Sequence, residues 1–195
     1  MIKIGILGDI GSGKSLVAKQ FGYPVFNADK EVSKIYKSNK SFFLKLKRFF
    51  PKYIKSYPIK KNELTKSILE NSKNLKKIVK IIHPIINKRM KKFFKKNKKS
   101  KMVVLDVPLL VENKINNNSF VLIFVSSKKF QINKRLKKRE NYNKELINKF
   151  RKLQKSLIIK KKISDYVIKN DFKLLTIKKN VKLIKNQILN ERNSS

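Results

Sequence analysis

The segment "GDIGSGKS", residues 8–15, holds three of the five glycines in a chain of 195 residues. It matches the pattern G-x-x-x-x-G-K-[ST]. The stretch before it, "MIKIGIL", alternates apolar residues as a buried strand does, and "SLVAKQF" after it has helical spacing. A strand, a glycine-rich loop and a helix in this order predict a phosphate-binding loop, because glycines let backbone N–H groups converge on phosphate oxygens.

The residues of this loop are expected to hold a nucleoside triphosphate. Lys14 is predicted to reach the β- and γ-phosphates, and the Ser15 hydroxyl to ligate Mg²⁺. The residues predicted to surround the phosphates are Gly8, Gly11, Ser12, Gly13, Lys14, Ser15 and Leu16. The alternative is a packing turn with an incidental lysine, and the complete match between a strand and a helix argues against it.

The charge of the chain is extreme, at +39 from 51 basic and 12 acidic residues. Such a balance normally indicates a polyanionic partner. Here the chain has only six arginines against 45 lysines, with 20 asparagines, 24 isoleucines and two alanines. We attribute this bias to an AT-rich genome, because a selected nucleic-acid surface uses arginine for base and phosphate contacts. We therefore expect no specific nucleic-acid partner.

Length and composition also bound the class of protein. A chain of 195 residues suits one α/β domain with small insertions. No window has the roughly 18 uncharged apolar residues of a membrane span, and the N-terminus has no basic segment before an apolar stretch. Cysteine is absent, which excludes disulfides and thiolate chemistry. These features predict a cytoplasmic protein with no membrane partner.

Apolar runs predict the remaining strands of a parallel α/β sheet. They lie at residues 23–29, 101–110, 120–126 and 165–171. Residues 40–98 are too long for a normal crossover and predict a helical insertion, with Pro84 expected to start, kink or interrupt its long helix. Residues 129–162 predict two charged helices broken near residues 141–143. A loop is predicted at residues 113–119 and a last helix at residues 174–189.

Carboxylates near the strand ends are the candidates for acid–base or metal chemistry, because ligands bind at the carboxyl ends of parallel strands. Asp29 follows the second predicted strand, Asp106 lies in the third, and Glu112 follows soon after. Each could accept a hydroxyl proton or hold Mg²⁺ through water. The alternative for each is a helix cap or a turn.

Two arginines and one histidine complete the candidates. Arg135 and Arg139 are four residues apart and are predicted to share a helical face, where they could neutralise a transferring phosphoryl group. An exposed basic face is the alternative. His83 is the only histidine, and a packed structural role is the alternative to any role in the site.

Six segments together resemble the dephospho-CoA kinase family over residues 2–190. They are "ILGDIGSGKS", "NADKEV", "IIHPII", "LDVPLLVEN", "RLKKRE" and "SDYVIKND". The resemblance implies an α/β three-layer P-loop fold like that of nucleoside-monophosphate kinases, with a parallel five-stranded sheet. It implies one domain, with a core at about 1–40, 100–135 and 163–195, a helical substrate-binding insertion at 41–99 and a lid at 136–162.

The resemblance also implies an activity. Family members phosphorylate the ribose 3′-hydroxyl of dephospho-CoA with ATP and Mg²⁺, the last step of coenzyme A synthesis, and we expect a monomer. The implied catalytic residues are Lys14, Asp29 and Arg139. The implied ATP-binding residues outside the loop are Arg135, Arg139 and Asn170. The implied substrate-binding residues are Asp29, His83, Asp106, Leu110 and Glu112. Another P-loop small-molecule or nucleotide kinase, or a lysine-rich nucleic-acid-binding P-loop protein, is the alternative.

Four positions depart from the family pattern. Asn27 stands where the first acid of an Asp-x-Asp pair is usual, which leaves Asp29 as the candidate carboxylate. On this basis we expect Asn27→Asp to leave activity unchanged or to raise it. Asp9 and Phe172 each stand where a glycine is usual, and Ile158 where an acidic residue is common.

Overall fold

A computed structural model describes residues 1–112 and 119–193 of the chain. The strands are β1 (Ile2–Gly8), β2 (Val25–Asn27), β3 (Met102–Asp106), β4 (Phe120–Ser126) and β5 (Tyr166–Lys169). The helices are α1 (Lys14–Gln20), α2 (Ala28–Ser38), α3 (Lys40–Phe49), α4 (Lys61–Glu70), α5 (Ser72–Lys96), α6 (Lys129–Lys137), α7 (Lys144–Lys152), α8 (Leu157–Lys162) and α9 (Leu174–Asn193). The loop predicted at residues 113–119 lies outside the described residues, apart from Ser119.

The described residues divide into two compact units. The first takes residues 1–27, 97–142 and 154–193, and the second takes residues 28–96 and 143–153. The first unit contains a parallel sheet in the order β2-β3-β1-β4-β5, with β1 in the middle. The predicted parallel five-stranded α/β fold is therefore confirmed.

The alternating isoleucines of β1 belong to the core of the first unit. Ile4 and Ile6 are fully buried and belong to one apolar cluster with α1 and α9. The helix residues of this cluster are Val17, Ala18, Phe21, Ile177, Val181, Ile184 and Ile188. All five residues of β3 and six of the seven residues of β1 are buried, as expected for central strands covered on both faces.

The second unit is a group of helices packed around α5. This 25-residue helix contacts α2, α3, α4 and α7. Its buried residues recur every three or four positions, at Leu75, Ile78, Ile82, Ile86 and Met90. Of the three outcomes predicted for Pro84, a helix start and an interruption are wrong, because α5 continues through it, and a kink stays a prediction. Pro84 is exposed, and the isoleucines buried one turn apart on either side hold the helical path despite the lost backbone hydrogen bond.

Residues 129–162 form three helices instead of the predicted two. The predicted break near residues 141–143 is present, and the Asn143 side chain caps α7 by accepting from Leu146 N at 2.8 Å. A second break separates α7 from α8, where the Ser156 hydroxyl accepts from Ile159 N at 3.3 Å. Serine is a preferred N-cap residue, so Ser156 was the signal for this additional helix.

Candidate active site

The loop after β1 takes the conformation that its glycines allow. Gly8 and Gly13 have φ values of +145° and +90°, in the region that favours glycine. A Cβ atom on Gly8 would lie 2.7 Å from the carbonyl oxygen of Val125, and one on Gly13 would collide with the Asn170 amide. Both conformation and close packing therefore require glycine at these two positions.

Lys14, at the start of α1, folds back over this loop. Its Nζ donates to the carbonyl oxygens of Asp9 at 2.7 Å and Gly8 at 3.3 Å, and the residue is only 9% exposed. Its ammonium group is therefore held against the glycine loop in a largely desolvated position. A positive charge in such surroundings interacts strongly with an anion bound by the loop.

A buried carboxylate lies beside the loop on its β3 side. Asp106, the last residue of β3, accepts through Oδ2 from Ser15 Oγ at 2.5 Å and from Asn27 Nδ2 at 2.6 Å. Asn27 ends β2 directly opposite Asp106 in the sheet register. Asp106 is 4% exposed, so these two donors compensate for the burial of its charge. The fold thus brings together the loop serine and the carboxylate of the neighbouring strand.

The donor set at this point fits a magnesium ion. The described residues contain no group of three or more His, Cys, Asp or Glu residues that could hold a metal by themselves. Mg²⁺ is usually bound by one or two protein oxygen ligands together with substrate phosphates. Ser15 Oγ and the Asp106 carboxylate, beside a phosphate loop, are ligands of this kind.

Asn170, the residue that follows β5, is hydrogen-bonded to the glycine-rich loop. Asn170 Nδ2 donates to Ser12 O at 2.7 Å, and Asn170 Oδ1 accepts from Phe172 N at 2.8 Å. Asn170 is 3% exposed, so its amide holds the loop and the following turn together. The guanidinium of Arg135 lies over the Phe172 ring, 4.4 Å from its centroid.

Arg139 does not share a helical face with Arg135, so that prediction is wrong. α6 ends at Lys137, and Arg139 follows in an exposed turn closed by a hydrogen bond from Arg139 N to Leu136 O at 3.1 Å. The end of the helix therefore separates the two arginines, and the role predicted for Arg139 stays a prediction.

Leu110 and Glu112, predicted to bind substrate, follow β3 in the first unit. Leu110 is fully buried and its side chain packs at Gly5 of β1, so only its backbone is available to a ligand. Glu112 accepts through Oε1 from Lys160 Nζ at 2.9 Å and from Lys155 N at 2.8 Å. Its second oxygen, Oε2, is buried and has no hydrogen-bond partner among residues 1–112 and 119–193.

Two further predicted residues belong to the second unit. Asp29 is an exposed residue in the first turn of α2. Burial, together with the negative charge of Asp29, raises the pKa of Tyr36 to about 12. His83 lies in α5, where its Nε2 is buried and finds no hydrogen-bond partner in the part of the chain that the structure describes. One turn further along the helix, the same holds for Asn87 Oδ1.

The ion pair between Lys160 and Glu112 was missed by the sequence analysis. Lys160 is 1% exposed and also donates to Gln154 Oε1 at 2.9 Å. We expect Lys160→Met to lower the free energy of unfolding by about 3–5 kcal/mol, because it leaves the buried carboxylate of Glu112 unpaired. Urea unfolding measures this loss, and Lys161→Met, at the exposed neighbouring position, is the matched control.

A double variant separates the charge of Lys160 from its packing. Lys160→Met combined with Glu112→Leu removes both charges, and we expect it to regain most of the lost stability. If the double variant is as unstable as Lys160→Met alone, the prediction fails. The packing of the lysine stem would then be the main contribution.

A parallel sheet with a glycine-lysine-serine loop after its central strand, and a carboxylate ending the neighbouring strand, defines a P-loop kinase fold. A sequence model of the dephospho-CoA kinase family matches residues 2–176. The chain belongs to the dephospho-CoA kinase family. It is therefore a phosphotransferase with ATP as the donor, and the resemblance found in its motifs is confirmed.

Individual relatives agree with this assignment. The dephospho-CoA kinase of Wolbachia pipientis wMel is 35% identical over 170 residues, which cover 85% of this chain and 87% of the relative. That of Fusobacterium nucleatum is 35% identical over 185 residues, covering 91% and 94%. The solved dephospho-CoA kinase from Campylobacter jejuni has a TM-score of 0.60 at 22% identity, covering 96% and 98%, and this likeness supports the fold.

Within residues 1–112 and 119–193, no helix combines the length and the apolar character that a membrane span requires.

Proposed function

We propose that the chain transfers the γ-phosphoryl group of ATP to the ribose 3′-hydroxyl of dephospho-CoA, giving coenzyme A and ADP. The observation that carries this proposal is the Ser15–Asp106 hydrogen bond beside the buried Lys14 ammonium, in a chain of this family. The hydroxyl oxygen forms the new bond to the γ-phosphorus as the bond to the β,γ-bridging oxygen breaks. The hydroxyl proton passes to a carboxylate.

Each residue of the site has a role in the phosphoryl transfer that follows from its position. The loop and Lys14 hold the β- and γ-phosphates, and Lys14 offsets charge on the transferred group. Asp106 orients the Ser15 hydroxyl through their hydrogen bond. Magnesium bound at Ser15 and Asp106 would neutralise charge on the phosphates. Catalysis is then mostly positioning and charge stabilisation.

On the acceptor side we assign the hydroxyl proton to Asp29. Asp106 is the less suitable base, because two donors already engage its Oδ2. Arg139 is assigned to the transferred phosphoryl group, and His83 and Glu112 to the acceptor. His83 Nε2 and Glu112 Oε2 support this, since each is buried with no hydrogen-bond partner among the described residues and leaves a hydrogen-bonding atom for a ligand.

The oligomeric state, the cellular compartment and the metal ion are also part of the proposed function. We propose that the chain acts as a monomer in the cytoplasm, with Mg²⁺ as its metal. The absence of cysteine supports a reducing compartment.

A coupled assay of ADP release tests the function directly. We expect turnover with dephospho-CoA, much slower turnover with nucleoside monophosphates, and none with a dephospho-CoA analogue that lacks the 3′-hydroxyl. Mass spectrometry of the product should show one added phosphoryl group. No turnover with dephospho-CoA, alongside turnover with another small alcohol, would overturn the proposal in favour of a different P-loop kinase.

A further inference from the structure

The phosphate loop carries a carboxylate, Asp9, to which the proposed reaction gives no role. Asp9 stands directly after Gly8 in the segment "GDIGSGKS". Its Oδ1 accepts a hydrogen bond from the backbone N–H of Ile10 at 2.7 Å. One of the loop amides is therefore already engaged by a negative group that belongs to the chain itself.

The main chain of Asp9 contacts the lysine that is assigned to the phosphates. The carbonyl oxygen of Asp9 accepts from Lys14 Nζ at 2.7 Å and from Ser12 N at 3.2 Å. A triphosphate bound at Lys14 is therefore brought close to the Asp9 carboxylate. Because two negative groups at close range repel each other, Asp9 opposes the binding that Lys14 favours.

The surroundings of Asp9 limit the screening of its charge by water. Asp9 is half-buried and, together with Ser12, lines a cavity of about 230 Å³. Most of the other residues that line this cavity are apolar, namely Phe124, Val125, Ile132, Leu157 and Ile158. Repulsion between the Asp9 carboxylate and a bound anion is stronger in such surroundings than at an open surface.

We propose that Asp9 makes the phosphate loop select triphosphate complexed with Mg²⁺ over the metal-free anion. This inference rests on the proposed function, which supplies ATP with Mg²⁺ as the donor. A triphosphate that carries Mg²⁺ has two fewer negative charges, so the carboxylate repels it less than it repels the free anion. In a chain with a net charge of +39, this repulsion opposes occupation of the loop by polyanions that lack the metal.

Calorimetric binding at constant ionic strength, with and without Mg²⁺, tests the proposal. In Asp9→Asn, which keeps an oxygen acceptor for Ile10 N, we expect the Kd for metal-free ATP to fall about 10-fold, whereas the Kd with saturating Mg²⁺ falls less than about threefold. Inorganic tripolyphosphate should show the same difference, because the effect acts on the phosphates. Glu70→Gln is the matched control, since it removes an exposed carboxylate of α4 and should change each Kd less than about twofold.

A second variant, Asp9→Gly, separates the charge of Asp9 from its hydrogen bond. Glycine removes both the charge and the acceptor, so we expect it to gain at least as much affinity for metal-free ATP as Asp9→Asn. A gain in Asp9→Gly that is absent from Asp9→Asn would overturn the proposal, because release of the Ile10 N–H rather than loss of charge would then explain it. No gain in either variant, or equal gains with and without Mg²⁺, would also overturn it.

The binding measurements need no acceptor, so they separate this inference from the proposed function. A selective gain in metal-free binding by Asp9→Asn, without turnover of dephospho-CoA by the parent chain, would keep the role of Asp9 and remove the acceptor assignment. Turnover of dephospho-CoA together with unchanged Kd values in Asp9→Asn would keep the proposed function and remove the role of Asp9.

Discussion

Replacing Lys14 with methionine is expected to lower kcat for ATP and dephospho-CoA about 10³-fold. The Lys14 ammonium is nearly buried and lies 2.7 Å from Asp9 O and 3.3 Å from Gly8 O, at the loop that holds the phosphates. Methionine keeps the length and packing of the side chain but removes its charge. The transferred phosphoryl group then loses a cation from a site where solvent screens little.

Steady-state kinetics on the purified variant, with a thermal unfolding curve to confirm folding, measure this effect. Lys19→Met is the matched control, because Lys19 belongs to the same helix and is exposed in its last turn. The control should keep kcat within about twofold of the parent chain. Near-normal kcat in Lys14→Met would mean that the loop at residues 8–15 is not the phosphate site.

The parts of this fold that could be predicted are those set by local sequence. The alternating isoleucines of β1, the glycines of the loop and the continuous apolar runs of β3 and β4 each determine a short segment by burial or backbone conformation. Pro84 shows the limit of such rules. A local helix-breaking signal was overridden by tertiary packing of the isoleucines on either side of it.

Contacts between distant segments could not be predicted in the same way. Ser15 and Asp106 are 91 positions apart, and they meet because β3 pairs with β1 in the sheet. Asn170 and Ser12 are 158 positions apart. The spacing of residues along the sequence does not determine the order of the strands in the sheet. It therefore identifies candidate residues for the site but not the residues that they contact.

The burial of Lys160 could not be predicted from the sequence for a different reason. It belongs to a run of three lysines, and composition alone makes each of them look like a solvated surface residue. Burial distinguishes them, since Lys160 is 1% exposed while its two neighbours are exposed. In a chain with 45 lysines, lysine identity carries little information about position, and only the packing of α8 against β1 shows which one is paired.

Replacing Asp29 with asparagine is expected to lower kcat roughly 10²-fold while the KM for ATP changes little. Asparagine keeps the shape of the side chain but cannot accept the proton of the 3′-hydroxyl. Glu70→Gln is the control, because it removes an exposed carboxylate whose ion pair with Lys52 lies at the surface. Full activity in Asp29→Asn would contradict the assignment. It would indicate that the hydroxyl needs no strong base in a loose transition state.

A charge-swap variant tests whether the position of the Asp29 carboxylate matters. Asn27→Asp combined with Asp29→Asn keeps the net charge, and we expect it to be as inactive as Asp29→Asn alone. The Asn27 amide donates to Asp106 Oδ2 at 2.6 Å, so an aspartate there would face a second carboxylate without a proton to share. Such pairs repel and raise the pKa of one member.

The same repulsion changes the expectation for Asn27→Asp alone. The family's usual acid pair predicts unchanged or higher activity, whereas the contact with Asp106 predicts a loss. Steady-state kinetics of the variant and of the parent chain measure this loss. Wild-type activity in Asn27→Asp, or rescue of Asp29→Asn by the swap, would show that residue 27 supports the reaction as an acid.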